Sequence, residues 1–288
     1  MDNAFLEDVF RRLEVVAAPQ QSVMQNLALD EALLRVAVAE SRSFLRLWWG
    51  DRPTVVLGRS EEPDRALDLK ACRRLGVQVV RRPTGGGAVL QDEGVLNYSL
   101  AAPAPGVLDP QAVFRIGTAM VVGALARLRV AGQQRGVSDI AVGDRKISGS
   151  AQAWRKGALL LHGTLLYHLD VDVIEACLRH PAREPEYRRG RSHRDFLTSL
   201  REQGVDGSLQ EAESALLASA LALTSGLSRH GARNSPLCAS SLTSCSSGVY
   251  RTHECAKMEP QKRYARASTD GEGAFRRDQG QDAQVAAG

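Results

Sequence analysis

Three consecutive glycines, Gly85–Gly87, follow a pair of arginines in "RRPTGGGAVLQDEGVLNYSL", residues 81–100. Glycine loses more backbone freedom on folding than any other residue and brings no side chain to a core. A run of three therefore marks a place where the backbone itself must pass close to something. A bulged turn between paired strands would satisfy that requirement without any ligand. Two features point beyond it. Arg81 and Arg82 stand directly before the loop, where their forks of donors can meet an anion. Consecutive small residues also leave main-chain N–H groups free to form an anion-binding concavity. The spacing fits neither the P-loop nor the dinucleotide fingerprint, so a nucleotide held here is held by another geometry.

The segments around the glycines define the fold class. Apolar residues recur at helical spacing in "MQNLALDEALLRVAVAE" (24–40), with Asp30 and Glu31 on the polar side. "SFLRLWWGDRPTVVLGR" reads as two strands around a Gly50–Asp51 turn. "RALDLKACRRLG" is a short helix ended by Gly76. "VQVVRR" is a strand leading into the glycines and "GVLNYSLAAP" a strand leading away. A long helix follows from "DPQAVFRIG", with Asp109 as N-cap and Pro110 in its first turn. "SDIAVGDRKISGSAQAW" has a hairpin pattern turning at Gly143–Asp144. The nearly continuous apolar run "GALLLHGTLLYHL" predicts a central strand covered on both faces. Helices over "VDVIEACLRH" and "SLQEAESALLASALALTSG" flank a polar stretch, "PAREPEYRRGRSHRDF". The class is α+β, hairpins gathered into a largely antiparallel, mixed sheet with helices packed on it. The expected organisation is one domain over residues 1–225 and a disordered Ser/Gly/Arg-rich tail over 226–288, too poor in large apolar residues to offset its ordering entropy.

Charge argues against a nucleic-acid partner. The tail after residue 224 holds nine Lys/Arg and six Asp/Glu, leaving 28 against 27 in the body, so no large basic face is present to track phosphates. No apolar run approaches the length of a bilayer span, and the acidic, amphipathic start is no secretory signal, so a cytoplasmic location is expected. Cys72 and Cys177 are the cysteines of the body; no Cys/His spacing reads as a zinc site.

Two further segments can carry chemistry. By strand alternation Lys146, Ser148 and Ser150 share one face, placing an ammonium beside small hydroxyl residues with room for a ligand. The bland reading of Lys146 is a solvated edge charge. Asp139, on the preceding strand, can pair with a cation or a ribose hydroxyl, or merely cap the hairpin. In "LHGTLLYHLD", His162, Thr164 and Leu166 project from one face, with Gly163 giving close approach on the other. A histidine there also fits a satisfied core residue. There is no G-x-S-x-G elbow and no partner acid for a triad.

Taken together, "MQNLALDEALL", "FLRLWWGDRPTVVLGR", "VVRRPTGGGAVLQDEGVLNYSL", "SDIAVGDRKISGSAQ" and "LHGTLLYHLD" resemble, in order, the lipoate–protein ligase A and octanoyltransferase family. The related biotin ligases share its class II synthetase-like catalytic fold. The resemblance covers residues 20 to 200. It implies a reaction in which lipoate, or octanoate, and ATP with Mg²⁺ give an acyl-AMP, whose acyl group then passes to a lysine of a lipoyl domain. The acceptors it implies are the acyltransferase subunits of 2-oxoacid dehydrogenases and the glycine-cleavage H protein. Carried over by position, Lys146 is the catalytic lysine, bridging acyl carbonyl and phosphate. Arg82, Thr84, Gly85, Gly86, Gly87 and Ala88 hold the acyl and phosphate-bearing end. Ser148, Gly149, His162, Gly163 and Thr164 line the same pocket. Asp139 stands near the nucleotide and its Mg²⁺. The apolar pocket would draw on "LRLWWG" and "VVLG". Ser138 and Gln91 depart from the Asn and His usual in the ligases. The tail does not look like the accessory domain that many ligases carry, which implies either a separate accessory polypeptide or a short ligase that works alone. Two alternatives compete: an ATP-independent octanoyl transferase or amidotransferase, which needs a cysteine nucleophile, and a non-catalytic lipoyl-binding scaffold.

Overall fold

A computed structural model describes Val9, residues 13–16, 21–104 and 109–228, with side chains as far as residue 223. The expected disordered tail, from residue 229 onward, lies outside the described residues. Among the described residues there are ten strands: β1 (Leu13–Val15), β2 (Ser43–Trp48), β3 (Thr54–Leu57), β4 (Gln78–Arg81), β5 (Val89–Gln91), β6 (Val95–Pro103), β7 (Gly132–Arg135), β8 (Asp139–Val142), β9 (Arg145–Arg155) and β10 (Ala158–Leu166). The helices among the described residues are α1 (Val23–Glu40), α2 (Pro63–Ala66), α3 (Leu69–Arg74), α4 (Pro110–Arg127), α5 (Val171–Cys177), α6 (His193–Phe196) and α7 (Leu209–Ser228). None is long and apolar enough to cross a membrane.

The strands form two sheets rather than one. The larger has seven strands in the order β1-β2-β6-β10-β9-β8-β7, and the smaller three in the order β4-β3-β5. Apart from the parallel edge pair β1–β2, the large sheet is antiparallel. β10 lies near its centre, fully buried except at Thr164, as its unbroken apolar run predicts.

The sequence pattern around Gly50–Asp51 is corrected here. β2 and β3 both form, but they do not pair with each other. β2 joins β6 in the large sheet, and β3 becomes the middle strand of the small one. The Gly50 N–H donates to Asp92 O (3.3 Å), and a Cβ on Gly50 would stand 2.8 Å from Val23 Cγ2. The turn is thus a crossing between layers, squeezed against α1. A bulged turn between paired strands is likewise excluded at the glycines, because β4 and β5 flank β3 and do not touch as a pair. The short helix expected over 65–76 is broken. Asp68 caps α3 by accepting from the Ala71 N–H (2.8 Å), and Leu67 forms an isolated bridge with Leu178.

The two faces of the large sheet have different fates. On one, α4 and α7 pack together over β6, β8, β9 and β10, enclosing the main core of Tyr98, Leu100, Met120, Leu125, Leu161 and Leu216 among others. At about 1.5–3 kcal/mol per fully buried large apolar side chain, this layer dominates stability. Cross-strand register puts Phe44, Ala101 and Leu160 on the other face, where α1 covers them with Leu33, Leu34 and Ala37. Further along that face the register brings up Arg46, Ser99 and His162, then Trp48, Asn97 and Thr164. Here Arg46 pairs with Asp30 of α1, both fully buried, and Ser99 links Asp30 to the Trp48 indole. Beyond this network Val23 and Leu27, in the first turns of α1, meet Trp48 of the large sheet and Val56 of the small one, and a gap is left between the layers.

Candidate active site

That gap is a cavity of about 930 Å³. Its floor is the open face of the large sheet, one wall is the glycine loop, and the opposite wall is the β8–β9 hairpin with residues 179–197. Leu27, Trp48, Val56 and Val89 give it an apolar end. The segments "LRLWWG" and "VVLG" therefore each contribute one lining residue, and α1 supplies Leu27.

The glycine loop is built by close contact on one side and left open on the other. Gly86 has φ +91°, a region that disfavours side chains, and its carbonyl packs against Gly58, where a Cβ would lie only 1.8 Å away. By contrast, a Cβ on Gly85 or Gly87 would meet nothing within 4 Å. The glycines thus face both a neighbouring chain segment and open space.

The arginines before the loop are engaged with the chain itself. Arg82, 8% exposed, donates from Nη2 to Gly85 O (2.8 Å) and Gly87 O (3.0 Å), from Nη1 to Val56 O (3.2 Å) and from Nε to Thr84 Oγ1 (3.0 Å). Arg81 Nη1 donates to the carbonyls of Gly58 (2.6 Å), Arg59 (3.0 Å) and Glu61 (2.8 Å). Both forks rivet the loop into shape. Burial lowers the Arg82 pKa to about 10, which leaves it charged at neutral pH, its charge spread over carbonyl dipoles.

His162 reaches Thr84 Oγ1 through Nε2 at 2.6 Å and lines the cavity, as do Gly163 and Thr164. Burial first, and the Arg82 charge second, push its pKa down to about 3, so its ring is neutral and ties the loop to the floor. Gly163 makes the close approach that the sequence suggested: a Cβ there would stand 2.4 Å from the Tyr98 hydroxyl.

On the opposite wall, strand alternation fails at one place, and that failure creates the site. Lys146 pairs with Ala141, but Ser148, not Ile147, pairs with Ile140, so one residue of β9 is bulged out of register. A bulge of this kind re-aims a side chain. Ile147 is driven into the core, and Ser148, 1% exposed, sits opposite core residue Leu165 and does not line the cavity. Lys146 instead lies across Gly149, where a Cβ would stand 2.8 Å from its Cε and Nζ. Of the expected shared face of Lys146, Ser148 and Ser150, Lys146 and Ser150 line the cavity, joined by Gly149 and Asp139, and Ser148 does not. The Lys146 ammonium pairs with Asp139 Oδ1 at 2.7 Å, and the Tyr187 hydroxyl donates to Asp139 Oδ2 at 2.9 Å. Burial, and then the neighbouring Asp139 charge, raise the Tyr187 pKa, so the phenol keeps its proton for that bond.

Tyr187 and its neighbours gave no sequence signal, because the polar stretch 181–196 has no periodicity. Gln91 was visible only as a departure. It is buried, accepts from Asn97 Nδ2 at 2.6 Å, and lines the cavity. Ala88 and Ser138 line it too.

Residues 22–220 match the family model of the lipoyl protein ligase A/B catalytic domain. The chain belongs to this family. Lipoate-protein ligase A subunit 1 of Thermoplasma acidophilum is 33% identical over 216 residues, 72% of this chain and 81% of that protein. The octanoyltransferase LipM of Carboxydothermus hydrogenoformans is 33% identical over 192 residues, 59% of this chain and 71% of that protein. Among solved structures, the archaeal bi-partite lipoate protein ligase of T. acidophilum, described with its E2 lipoyl domain, superposes with TM-score 0.63 at 29% identity, covering 76% of this chain and 90% of that one. A lipoate-protein ligase A bound with ATP gives 0.62 at 29%, over 76% and 92%. The chain spans about half the length of several other curated ligases it matches. This lipoyl-ligase catalytic domain is thus an enzyme fold of ligases and acyltransferases, with the Lys146 wall and glycine wall facing one shared cavity.

Proposed function

We propose that the chain is an ATP-dependent lipoate–protein ligase, acting on lipoate or octanoate in the cytoplasm. The observation that carries this reading is the Lys146–Asp139 pair on the cavity wall, its carboxylate held by Tyr187, with no cysteine lining that cavity among the described residues. A carboxylate is a poor electrophile, so it must be activated before an amine can attack. In the first step a carboxylate oxygen bonds to the α-phosphorus of ATP, the bond to pyrophosphate breaks, and the acyl-AMP anhydride remains. Negative charge builds on the phosphoryl oxygens and is opposed by the Lys146 ammonium, already oriented by Asp139. In the second step an acceptor lysine attacks the acyl carbonyl carbon, the amide forms, AMP leaves, and the amine proton passes to phosphate or water. The acyl chain lies at the Leu27–Trp48–Val56–Val89 end, each buried CH₂ contributing about 0.8 kcal/mol.

Arg82 would serve through the loop it shapes, holding the Gly85–Gly87 backbone against the ligand. Mg²⁺, when bound, would neutralise phosphate charge. Asp139, which lines the cavity, would hold it through an oxygen shared with Lys146 or Tyr187. That fits an ion held largely through nucleotide phosphates with one or two protein carboxylates. The acceptors are lipoyl domains of 2-oxoacid dehydrogenase acyltransferases and the glycine-cleavage H protein. A separate accessory polypeptide has a precedent in the bi-partite T. acidophilum ligase.

The transferase alternative needs a thiolate beside the acyl group. Cys72 and Cys177 are both buried in a separate apolar cluster between α3 and α5, and neither lines the cavity. Burial, and then contact with Cys72, push the Cys177 thiol up to about 12, the reverse of what a nucleophile needs. Mass spectrometry of a lipoyl domain separates these reactions. Modification by lipoate or octanoate is expected only when ATP is present. Modification from an octanoyl donor without ATP would overturn the ligase reading, and no modification under either condition would leave a binding scaffold.

A further inference from the structure

Beside the apolar end of the cavity, a buried polar chain joins α1 to the large sheet, and its bonds run in one direction. Arg46 donates from Nη1 to Asp30 Oδ1 and to Asn26 O (3.1 Å), and from Nη2 to Asn26 Oδ1 (2.6 Å). Asp30, clamped on that oxygen, accepts from the Ser99 hydroxyl on the other. The Ser99 oxygen, its proton spent, accepts from Trp48 Nε1 (3.3 Å). Asn26, Asp30, Arg46 and Ser99 are all buried, and of the five residues Trp48 is the one that lines the cavity.

Trp48 also packs with Val23, Leu27 and Val56. Such contacts hold a ring in a slot but have little direction. The indole N–H is a donor without acceptor capacity, and a buried donor without a partner is costly. Its bond to Ser99 therefore decides which edge of the ring is turned to the sheet and which to the cavity. Behind Ser99 stands an ion pair that cannot shift without separating buried charges. Interiors packed in this way yield little, so the ring at the apolar end is a wall of fixed position. A flexible acyl chain gains affinity with each methylene it buries until its tip meets such a wall, and loses affinity beyond it.

We propose that Ser99, held by Asp30 and Arg46, is a positioning residue that fixes the Trp48 indole as the stop against which acyl length is read. The ligand class it selects is a medium-chain carboxylic acid, long enough to reach the indole and no longer. This rests on the acyl-pocket reading above and names what limits that pocket. The test is calorimetric titration of the full chain with hexanoate, octanoate and decanoate, for wild type, Ser99→Ala, Trp48→Phe and the double variant. Wild type should bind octanoate about tenfold more tightly than hexanoate, the gain of two buried methylenes, and decanoate more weakly than octanoate. Ser99→Ala should raise the decanoate-to-octanoate affinity ratio about fivefold, the scale of one lost hydrogen bond, and Trp48→Phe should do the same. In the Trp48→Phe background, which has no N–H to hold, Ser99→Ala should change the ratio by less than about twofold. An unchanged ratio in Ser99→Ala, or a further full shift in the double variant, would overturn the proposal. So would an equal loss of affinity for all three acids with a lowered melting temperature, which marks a general packing role. Trp48→Phe leaves the Arg46–Asp30–Ser99 chain whole and tests the same stop should Ser99→Ala not fold; an unchanged ratio there also overturns the proposal. Failure of the wild-type protein to bind any of the three acids would instead remove the acyl-pocket reading on which it stands.

Discussion

On the glycine side of the cavity, Arg81 and Arg82 are committed to main-chain carbonyls of residues 56–61 and 85–87. Across the cavity, Lys146 is held by a single carboxylate, itself shared with Tyr187. Both walls are cationic, yet they differ in what the charge is for. Carbonyl dipoles fixed by the backbone cannot be exchanged for a ligand without unfolding the loop. A side-chain carboxylate can turn aside or share its partner with an incoming phosphate. The glycine wall is therefore a rigid surface shaped by cations, and the hairpin wall presents a cation to whatever binds.

The largest expected effect tests that division directly. Lys146→Ala should lower acyl-AMP formation by about a thousandfold or more, the scale of losing a preorganised charge at the reacting centre, while the melting temperature holds. Normal pyrophosphate release from a folded Lys146→Ala protein would end its assignment. The opposite pattern is expected at Gly58. A Cβ 1.8 Å from Gly86 O forces the loop to shift, so Gly58→Ala should cost about 3 kcal/mol in urea unfolding, as overpacking does. If that variant keeps full stability, the glycine wall is not the rigid element described.

His162 sharpens the comparison through pH. Its pKa is about 3 in the fold and near 6.5 when unfolded. Between these values the unfolded chain binds the extra proton, so stability rises with pH and this contribution is lost as pH falls from 6.5 toward 3. The His162-dependent loss is about 2 kcal/mol at pH 5, and His162→Gln should flatten the dependence of melting temperature between pH 7 and 4 accordingly. An unchanged slope would show that the ring is not the buried neutral link between loop and floor. The smallest effect is expected at Cys72→Ser. Activity per folded molecule should stay within about twofold, with a stability loss of about 1 kcal/mol from burying a hydroxyl. Abolished activity would bring the thioester route back.

Much of this molecule was legible before its fold. The cap at Asp109, the central strand Ala158–Leu166, the close approach at Gly163 and the hairpin at Gly143–Asp144 all appear in the structure. Gly86, Gly87, Asp139, Lys146, His162 and Thr164 line one cavity, and Thr84, Gly85 and Ser148 are not among its lining residues. Ser148 fell on the core side because one bulged residue reverses every side chain beyond it, and alternation has no way to announce a bulge.

Local chemistry explains what the amino-acid order determined alone: helical period, caps, turn glycines and apolar runs act over a few residues, so they are written where they act. Which strand pairs with which, and which partner a buried charge takes, is settled between residues far apart in the chain. Thr84 and His162 are 78 positions apart, Asp139 and Tyr187 are 48. Desolvation obliges each buried donor to find a partner, but only the packed layers decide whether that partner is a carbonyl, a carboxylate or a substrate.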